Sequence, residues 1–455
     1  MTDFIVREEK SKYIKPAREN KIFYACSIFF LFNMFVMPQY FGIPTPGFDL
    51  TVLRIGIILV SLMIFADTER AKDFLEIIKT SLLTKTWAVY VIVILYTMVF
   101  RADFNAFLNP FMEIYATYLV IYVVKKSIGV ENILKLVIVF CYIMTLLGVL
   151  EAFLGFTPFC YLVTLDGIYT GSFVRSGSYR IMSSFSHSLG YGLFLIIVTP
   201  LSVYNIDEKK IHLVQHPLLL ILFVINVFMT GSRSTLGVLF LELAILIVLA
   251  ERENRKRFLV GFVMFLLIFS AVVFALQGTS FGKYVLLQVT TVIDSAFGTT
   301  YSVKYGADLN ALGASSNYRE QLKGIFSVSW LNPILGLGRK RAFSGVINGN
   351  VIRSIDSFYI AEYVRYAYPG MLSFIFFLVF WMIKMALSAF GKQKNNLAKI
   401  VVVGVGCYLL NLYWVDSLQT FKYMYLMIAI WYCDSEVKAS AAASRYIKKP
   451  IWRKK

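Results

Sequence analysis

Charge is scarce in this chain of 455 residues: only 16% are Asp, Glu, Lys or Arg, while 58% are hydrophobic. A soluble domain carries about 25% charged residues, and the mean hydropathy of +0.68 points the same way, so a soluble globular protein is excluded. Cysteine is sparse too. Cys26, Cys141, Cys160, Cys407 and Cys433 lie in or beside apolar runs without metal-like spacing, which excludes a disulfide framework and a zinc site. The chain has no DxD signature, P-loop, GxSxG elbow or HExxH pair. Those absences argue against metal-dependent nucleotide-sugar transfer, ATP hydrolysis, serine hydrolysis and zinc hydrolysis, and no metal or other cofactor is expected. No internal repeat and no separate soluble domain is visible. The opening MTDFIVREEKSKYIKPARENK is long and mixed in charge, unlike a cleavable signal peptide, and reads as a cytoplasmic leader.

What is present is a series of apolar runs of roughly 16 to 22 residues, the length that crosses a ~30 Å hydrocarbon core. Twelve spans are predicted, at roughly 22–38, 49–66, 87–101, 105–124, 132–154, 187–204, 217–231, 234–250, 258–276, 369–390, 398–414 and 418–433. Backbone groups in lipid must be satisfied within the segment, so each span is helical. The expected fold is an all-α polytopic membrane protein with one large extracytoplasmic loop between helices 9 and 10. Its three parts are 1–276 with nine spans, the loop at 277–368, and 369–455 with three spans and a basic tail.

Orientation follows from basic residues. With the N-terminus cytoplasmic, two thirds of the 45 Lys and Arg residues fall on the cytoplasmic side, as the positive-inside rule requires. Both termini are then cytoplasmic, and the net charge of +18 reports topology and anionic lipid rather than nucleic acid. On the outer side arginine dominates: Arg175, Arg180, Arg233, Arg319, Arg339, Arg341, Arg353 and Arg365. Arginine there suggests a geometric role, because its planar fork grips phosphate and carboxylate in a way lysine does not.

Three stretches carry these arginines. In TGSRST, residues 230–235, Thr230, Ser232 and Ser234 can cap the next helix, so an anion would meet amides, hydroxyls and Arg233 together. Arg233 reads equally well as an interfacial arginine reaching lipid headgroups. In VRSGSYRIMSSFSHSLGYG, residues 174–192, Arg175 and Arg180 could grip a phosphate or a sugar-bearing acceptor, and by itself this stretch reads more simply as a polar loop end. His187 reads as a local hydrogen-bonding residue rather than a base. In the large loop Arg319 lies on a predicted helix, and WLNPILGLG follows, with Gly336 and Gly338 letting the backbone approach a ligand closely. Arg339, Arg341 and Arg353 come next, then Asp356, an acid that arginines keep ionised. Spacing alone also allows Asp356 to be a salt-bridged loop anchor. Helices are expected at 281–297 and 317–328, and a surface or re-entrant helix at 356–368, broken from the following span by Pro369 and Gly370.

RIMSSFSHSLGYG, TGSRST, NYREQLKGIFSVSWLNPILGLG and IDSFYIAEYVRYAYPG occur in an order, and on a side of the membrane, that resembles the O-antigen polymerase and O-antigen ligase superfamily. The resemblance covers roughly residues 170–385. It implies a metal-independent, inverting glycosyltransferase that uses undecaprenyl-diphosphate-linked glycans as donor and acceptor. It also implies the bacterial inner membrane, with membrane lipids, a chain-length regulator and a flippase as partners, in the making of O-antigen or capsule. Carried over residue by residue, Arg233 and Arg319 are the diphosphate ligands and Asp356 the general base. Arg180 occupies the place of a basic residue in the earlier loop. Arg175, Gly336, Gly338, Arg339, Arg341, Arg353 and Glu362 complete the expected substrate-binding set, and Glu362 or Glu320 is the next base in line. The ligase branch has histidine then asparagine where this chain has Asp356 and Ser357, a departure that favours a polymerase. A ligase that passes the glycan to a different acceptor is the alternative, and a transporter or flippase is a weaker one.

Overall fold

A computed structural model describes residues 21–45, 48–169, 171, 173–175, 178–307, 317–339, 344–352, 354–392 and 394–447. Fourteen helices are described: α1 (Lys21–Phe35), α2 (Val52–Phe65), α3 (Thr68–Thr80), α4 (Leu82–Arg101), α5 (Phe104–Val123), α6 (Val130–Leu154), α7 (Ser188–Val198), α8 (Pro217–Met229), α9 (Arg233–Leu249), α10 (Arg252–Ala275), α11 (Ser280–Phe297), α12 (Phe358–Phe390), α13 (Asn396–Asn411) and α14 (Phe421–Ile447). Strands are confined to short hairpins of two or three residues per strand. Among the described residues Leu82–Arg101, Phe104–Ile128, Val130–Leu154 and Phe358–Phe390 are long and apolar enough to cross a membrane. Shorter apolar helices, α1, α2, α8, α13 and Ser188–Val203, pack among them.

Polar residues at the joins set where the helices begin. Thr51 accepts the Arg54 N–H at 3.3 Å and starts α2, and Asp67 accepts two N–H groups at the start of α3. Ala102, at φ 48°, ends α4 in the left-handed conformation, and Asp103 caps α5 in the next position. That two-residue turn makes α4 and α5 antiparallel neighbours. Aromatic packing fills the centre. Trp87 stacks on Phe377 with ring centroids 3.7 Å apart, and Phe358 meets Phe374 and Phe421 edge-on or tilted, tying α4, α12 and α14 together.

The two ends of the bundle differ in chemistry. At one, lysines bridge the helices: Lys125 to Glu436, Lys126 to Asp73 at 2.6 Å, Lys135 to Asp207 at 3.3 Å, and Lys209 to Glu131 at 3.2 Å. At the other, arginines do. Arg339 meets Glu113, Arg365 meets Asp416, and Arg54 meets Asn109.

The stretch 356–368 departs from expectation. Of the two placements expected for it, a surface helix is excluded, because Phe358, Ala361, Glu362, Tyr363 and Val364 are all buried. It runs into the following helix as α12, with non-helical dihedrals at Tyr366 (φ −136°, ψ 15°) and Ala367 (φ 54°, ψ −165°) rather than at Pro369 and Gly370. Proline acts upstream of itself. Pro369 has no N–H for the Arg365 carbonyl, and its ring crowds that carbonyl, so the disruption falls in the turn before it.

Within the loop at 277–355, α11 occupies the first expected helix, and a helical segment at 317–322 continues into the tighter turn Lys323–Ser327. The end of α11 is clasped by Asp294. Its carboxylate accepts from the Thr299 hydroxyl at 2.5 Å and from the N–H groups of Tyr301 and Ser302 at 2.9 and 2.7 Å. Removal from water would raise the acid, but hydrogen bonds from Ser302, Thr299 and Tyr301 outweigh it and hold the carboxyl down at about 2. A depressed acid stabilises the fold above its unfolded value, so this clasp is intact above about pH 4 and is lost as pH falls towards 2. Asp294→Asn is expected to flatten the acid limb of protection for the amides of 299–302, read by hydrogen exchange between pH 4 and 2; an unchanged limb would remove Asp294 from that role.

Candidate functional site

The break in α12 organises its surroundings. Because Pro369 cannot donate and the helix is distorted at 366–367, the carbonyls of Val364 and Arg365 and the N–H of Tyr368 need partners elsewhere. The NPILGLG turn supplies all three. Leu337 N–H donates to the Val364 carbonyl at 2.8 Å, Gly338 N–H to the Arg365 carbonyl at 2.8 Å, and Tyr368 N–H to the Pro333 carbonyl at 3.1 Å. Gly336 is required by this contact, since a Cβ there would stand 2.2 Å from the Arg365 carbonyl oxygen. Gly338 holds φ +80°, which glycine tolerates best. Gly336 permits close approach to α12, and Gly338 to Asp103 and Ala106 at the start of α5. Arg101 secures the turn from the other side, its Nε donating to the Gly336 carbonyl at 2.8 Å.

Fixing this turn delivers the next residue into the bundle. Arg339 donates to both carboxylate oxygens of Glu113, at 2.7 and 3.2 Å, and is 7% exposed. It lines a cavity of about 330 Å³ with Arg54, Arg365 and Lys422, whose walls continue as Leu53, Ile57, Met112, Val120 and Leu426. Arg54 donates to Asn109, and Arg365 to Asp416. Behind Arg365 lies Glu362, which accepts the Tyr90 hydroxyl at 2.7 Å and stands 3.6 Å from Arg365. Glu362 does not line the cavity; it orients a residue that does.

A second, smaller hollow of about 190 Å³ lies where the loop returns to the bundle, lined by Arg319, Lys323, Ser357, Tyr413 and Trp414. The two ends of the loop are joined there. Tyr318, the neighbour of Arg319, donates its hydroxyl to the carbonyl of Ser354 at 2.6 Å, two residues before Asp356. Phe358 N–H donates to the Leu412 carbonyl at 3.0 Å and anchors the return beside Tyr413. Arg319 is half-buried, and its Nε has no hydrogen-bond partner among the described residues. Asp356 is also half-buried and accepts from Ser354 Oγ at 3.3 Å.

The TGSRST turn adjoins this region through α13. Asn411 donates to Thr235 Oγ1 at 3.1 Å, and Ser232 caps α9. Arg233 is half-buried and donates to Ser295 of α11 at 3.4 Å. Arg180 is buried against the same turn, its Nε donating to the Thr230 carbonyl at 2.6 Å. Its hairpin is held by Glu151, which accepts from Tyr179 and from the N–H groups of Met182 and Ser183.

The expected residues therefore divide among three neighbouring places. Arg319 lines the groove and Asp356 stands beside its wall residue Ser357; Arg339 enters the cavity, with Gly336, Gly338 and Glu362 behind it; and Arg180 and Arg233 flank the α9 turn. Arg175 pairs with Ser178 across its hairpin, and Arg341 and Arg353 lie outside the described residues. Sequence reasoning missed Arg54, Glu113 and Lys422, although each is a charge inside a predicted span, itself a functional signal. Comparison of the chain with protein-family models and with curated proteins finds no match.

Proposed function

We propose that the chain is a polytopic, twelve-span glycosyltransferase of the bacterial inner membrane that joins undecaprenyl-diphosphate-linked repeat units into a surface polysaccharide. Both termini are cytoplasmic in this reading, and the arginine-bearing end faces outward. The observation that carries it is the junction at the groove. Arg319, Glu320 and Ser357, from opposite ends of the large loop, share one hollow with Tyr413 and Trp414, and Asp356 directly precedes Ser357. A cation, an acid and aromatic faces are what glycosyl transfer from a diphosphate uses: charge for the leaving group, a base for the attacking hydroxyl, and flat surfaces on which sugars pack.

The terminal sugar hydroxyl of the incoming unit attacks the anomeric carbon of the growing chain while Asp356 takes the hydroxyl proton. The bond from that carbon to the diphosphate oxygen breaks with inversion, and undecaprenyl diphosphate leaves. Arg319, with Arg233 on the adjoining turn, offsets the charge that develops on the leaving oxygen.

Deleting the gene distinguishes this activity from that of a ligase. A lost polymerase leaves surface glycan capped at one repeat unit, restored by the wild-type chain. Accumulation of long lipid-linked polymer with none on the final acceptor would assign a ligase instead.

A further inference from the structure

We infer that the cavity framed by α1, α2, α5 and α14 seats the diphosphate and the first isoprene units of a second lipid-linked molecule, the acceptor. This rests on the polymerase reading, because that reaction brings together two lipid-linked substrates. The attacking hydroxyl lies at the end of the acceptor glycan farthest from its own diphosphate. An enzyme that orients the acceptor therefore needs an anion seat removed from the reacting centre. Ser357 lines the groove and Arg365 lines the cavity, eight positions along one helix, or about 12 Å at the helical rise. A short oligosaccharide spans such a gap.

The chemistry of the cavity fits an anion with an apolar tail. Arg54 and Arg339 are held by Asn109 and Glu113 of the cavity wall, and Arg365 by Asp416 beyond it, so their forks are preorganised. Asp49 and Glu113 also line the wall, and they offset part of this charge. Lys422 has no hydrogen bond or ion pair among the described residues and lies 5.0 Å from the Tyr423 ring centroid, so its amine is the basic group of the cavity that no carboxylate or amide engages. It stands in the first turn of α14, where the helix dipole is itself positive and no acid is present. The first turn of α2 contributes Leu53 and Arg54 to the same wall, so a second helix begins there.

Away from the cations the lining turns apolar. On α5 it runs from Asn109 and Glu113 to Ala116 and Val120, about 16 Å along the helix. Ile57 and Leu426 face the same space. A free phosphate would have no use for such a wall, and a neutral sugar would have none for Lys422.

The test uses the full-length protein in detergent, with farnesyl diphosphate as probe and inorganic pyrophosphate and farnesol as its two halves, read by isothermal titration. Wild type should bind farnesyl diphosphate at two sites and bind either half at least about tenfold more weakly, a lost charge-assisted contact being worth at least that factor. Lys422→Gln should remove one of the two sites, and Lys422→Arg should restore it, which shows that the fold survives. Arg319→Ala should remove the other site. Two sites persisting in Lys422→Gln would overturn the assignment while leaving the groove intact. Pyrophosphate binding as tightly as farnesyl diphosphate would make the cavity a plain phosphate site and overturn the lipid assignment. Loss of the Lys422-dependent site alone, with Arg319→Ala still polymerising normally, would support the cavity and reject the groove.

Discussion

Arg319→Ala is expected to lower polymer formation by about 10² to 10³, the usual cost of removing one preorganised group that stabilises a departing charge. The reason is local. Tyr318, bonded through its hydroxyl to Ser354, fixes the backbone beside Arg319, which lines the groove with its Nε unpartnered among the described residues. Arg319→Lys should recover only part of the rate, because an ammonium cannot reproduce the planar fork. Asp356→Asn should be at least as severe, about 10² to 10⁴, since the amide cannot accept the hydroxyl proton. Among the described residues its side chain has one hydrogen bond, 3.3 Å from Ser354 Oγ, so folding should be preserved. The check is the ladder of glycan lengths in a strain carrying only the variant. Normal length from either Ala or Asn would move the reaction elsewhere, with Glu320 next to Arg319 as the next base to examine.

Gly336→Ala should be strongly destabilising. Its Cβ would sit 2.2 Å from the Arg365 carbonyl oxygen, and the obstructing atom is backbone, which cannot rotate aside. Relief requires the turn to lift from α12, losing the Leu337, Gly338 and Tyr368 backbone bonds. At about 1 kcal/mol each, that amounts to roughly 3 kcal/mol. Arg339 would be withdrawn from Glu113 at the same time, so stability and activity should fall together. Gly278→Ala is the control, because a Cβ there meets nothing within 4 Å. Thermal unfolding in detergent reads the difference, and equal melting for the two variants would show that the turn does not depend on this contact.

Much of the architecture was legible because its cause is local. Apolar runs report helices, and capping residues such as Asp67 and Asp103 report where they start. That the two ends of the large loop come together, Tyr318 on Ser354, could be anticipated from the loop's return to the membrane. The cavity could not. It forms where α2, α5, the segment after Gly338 and α14 converge, and no spacing within any one of them encodes that meeting. Arg54, Glu113 and Lys422 were visible only as charges inside apolar runs, without partners attached.

Two misreadings have the same origin. Gly336 signals close approach, yet a glycine does not say whether the approaching group is a ligand or, as here, the Arg365 carbonyl. Glu362 and Arg365 made a surface position one of the two readings of 356–368, whereas Glu362 is buried and Arg365 half-buried because Tyr90 and Asp416 satisfy them. Polar letters predict exposure only when no partner waits inside.

Reconstitution tests the central claim most directly. The purified chain in liposomes would be given a synthetic prenyl-diphosphate-linked repeat unit, and the products separated by length. The proposed mechanism predicts a ladder of prenyl-linked oligomers with release of one prenyl diphosphate per bond formed, and no ladder from Asp356→Asn. A wild-type protein that binds the lipid-linked unit and forms no new glycosidic bond would contradict it.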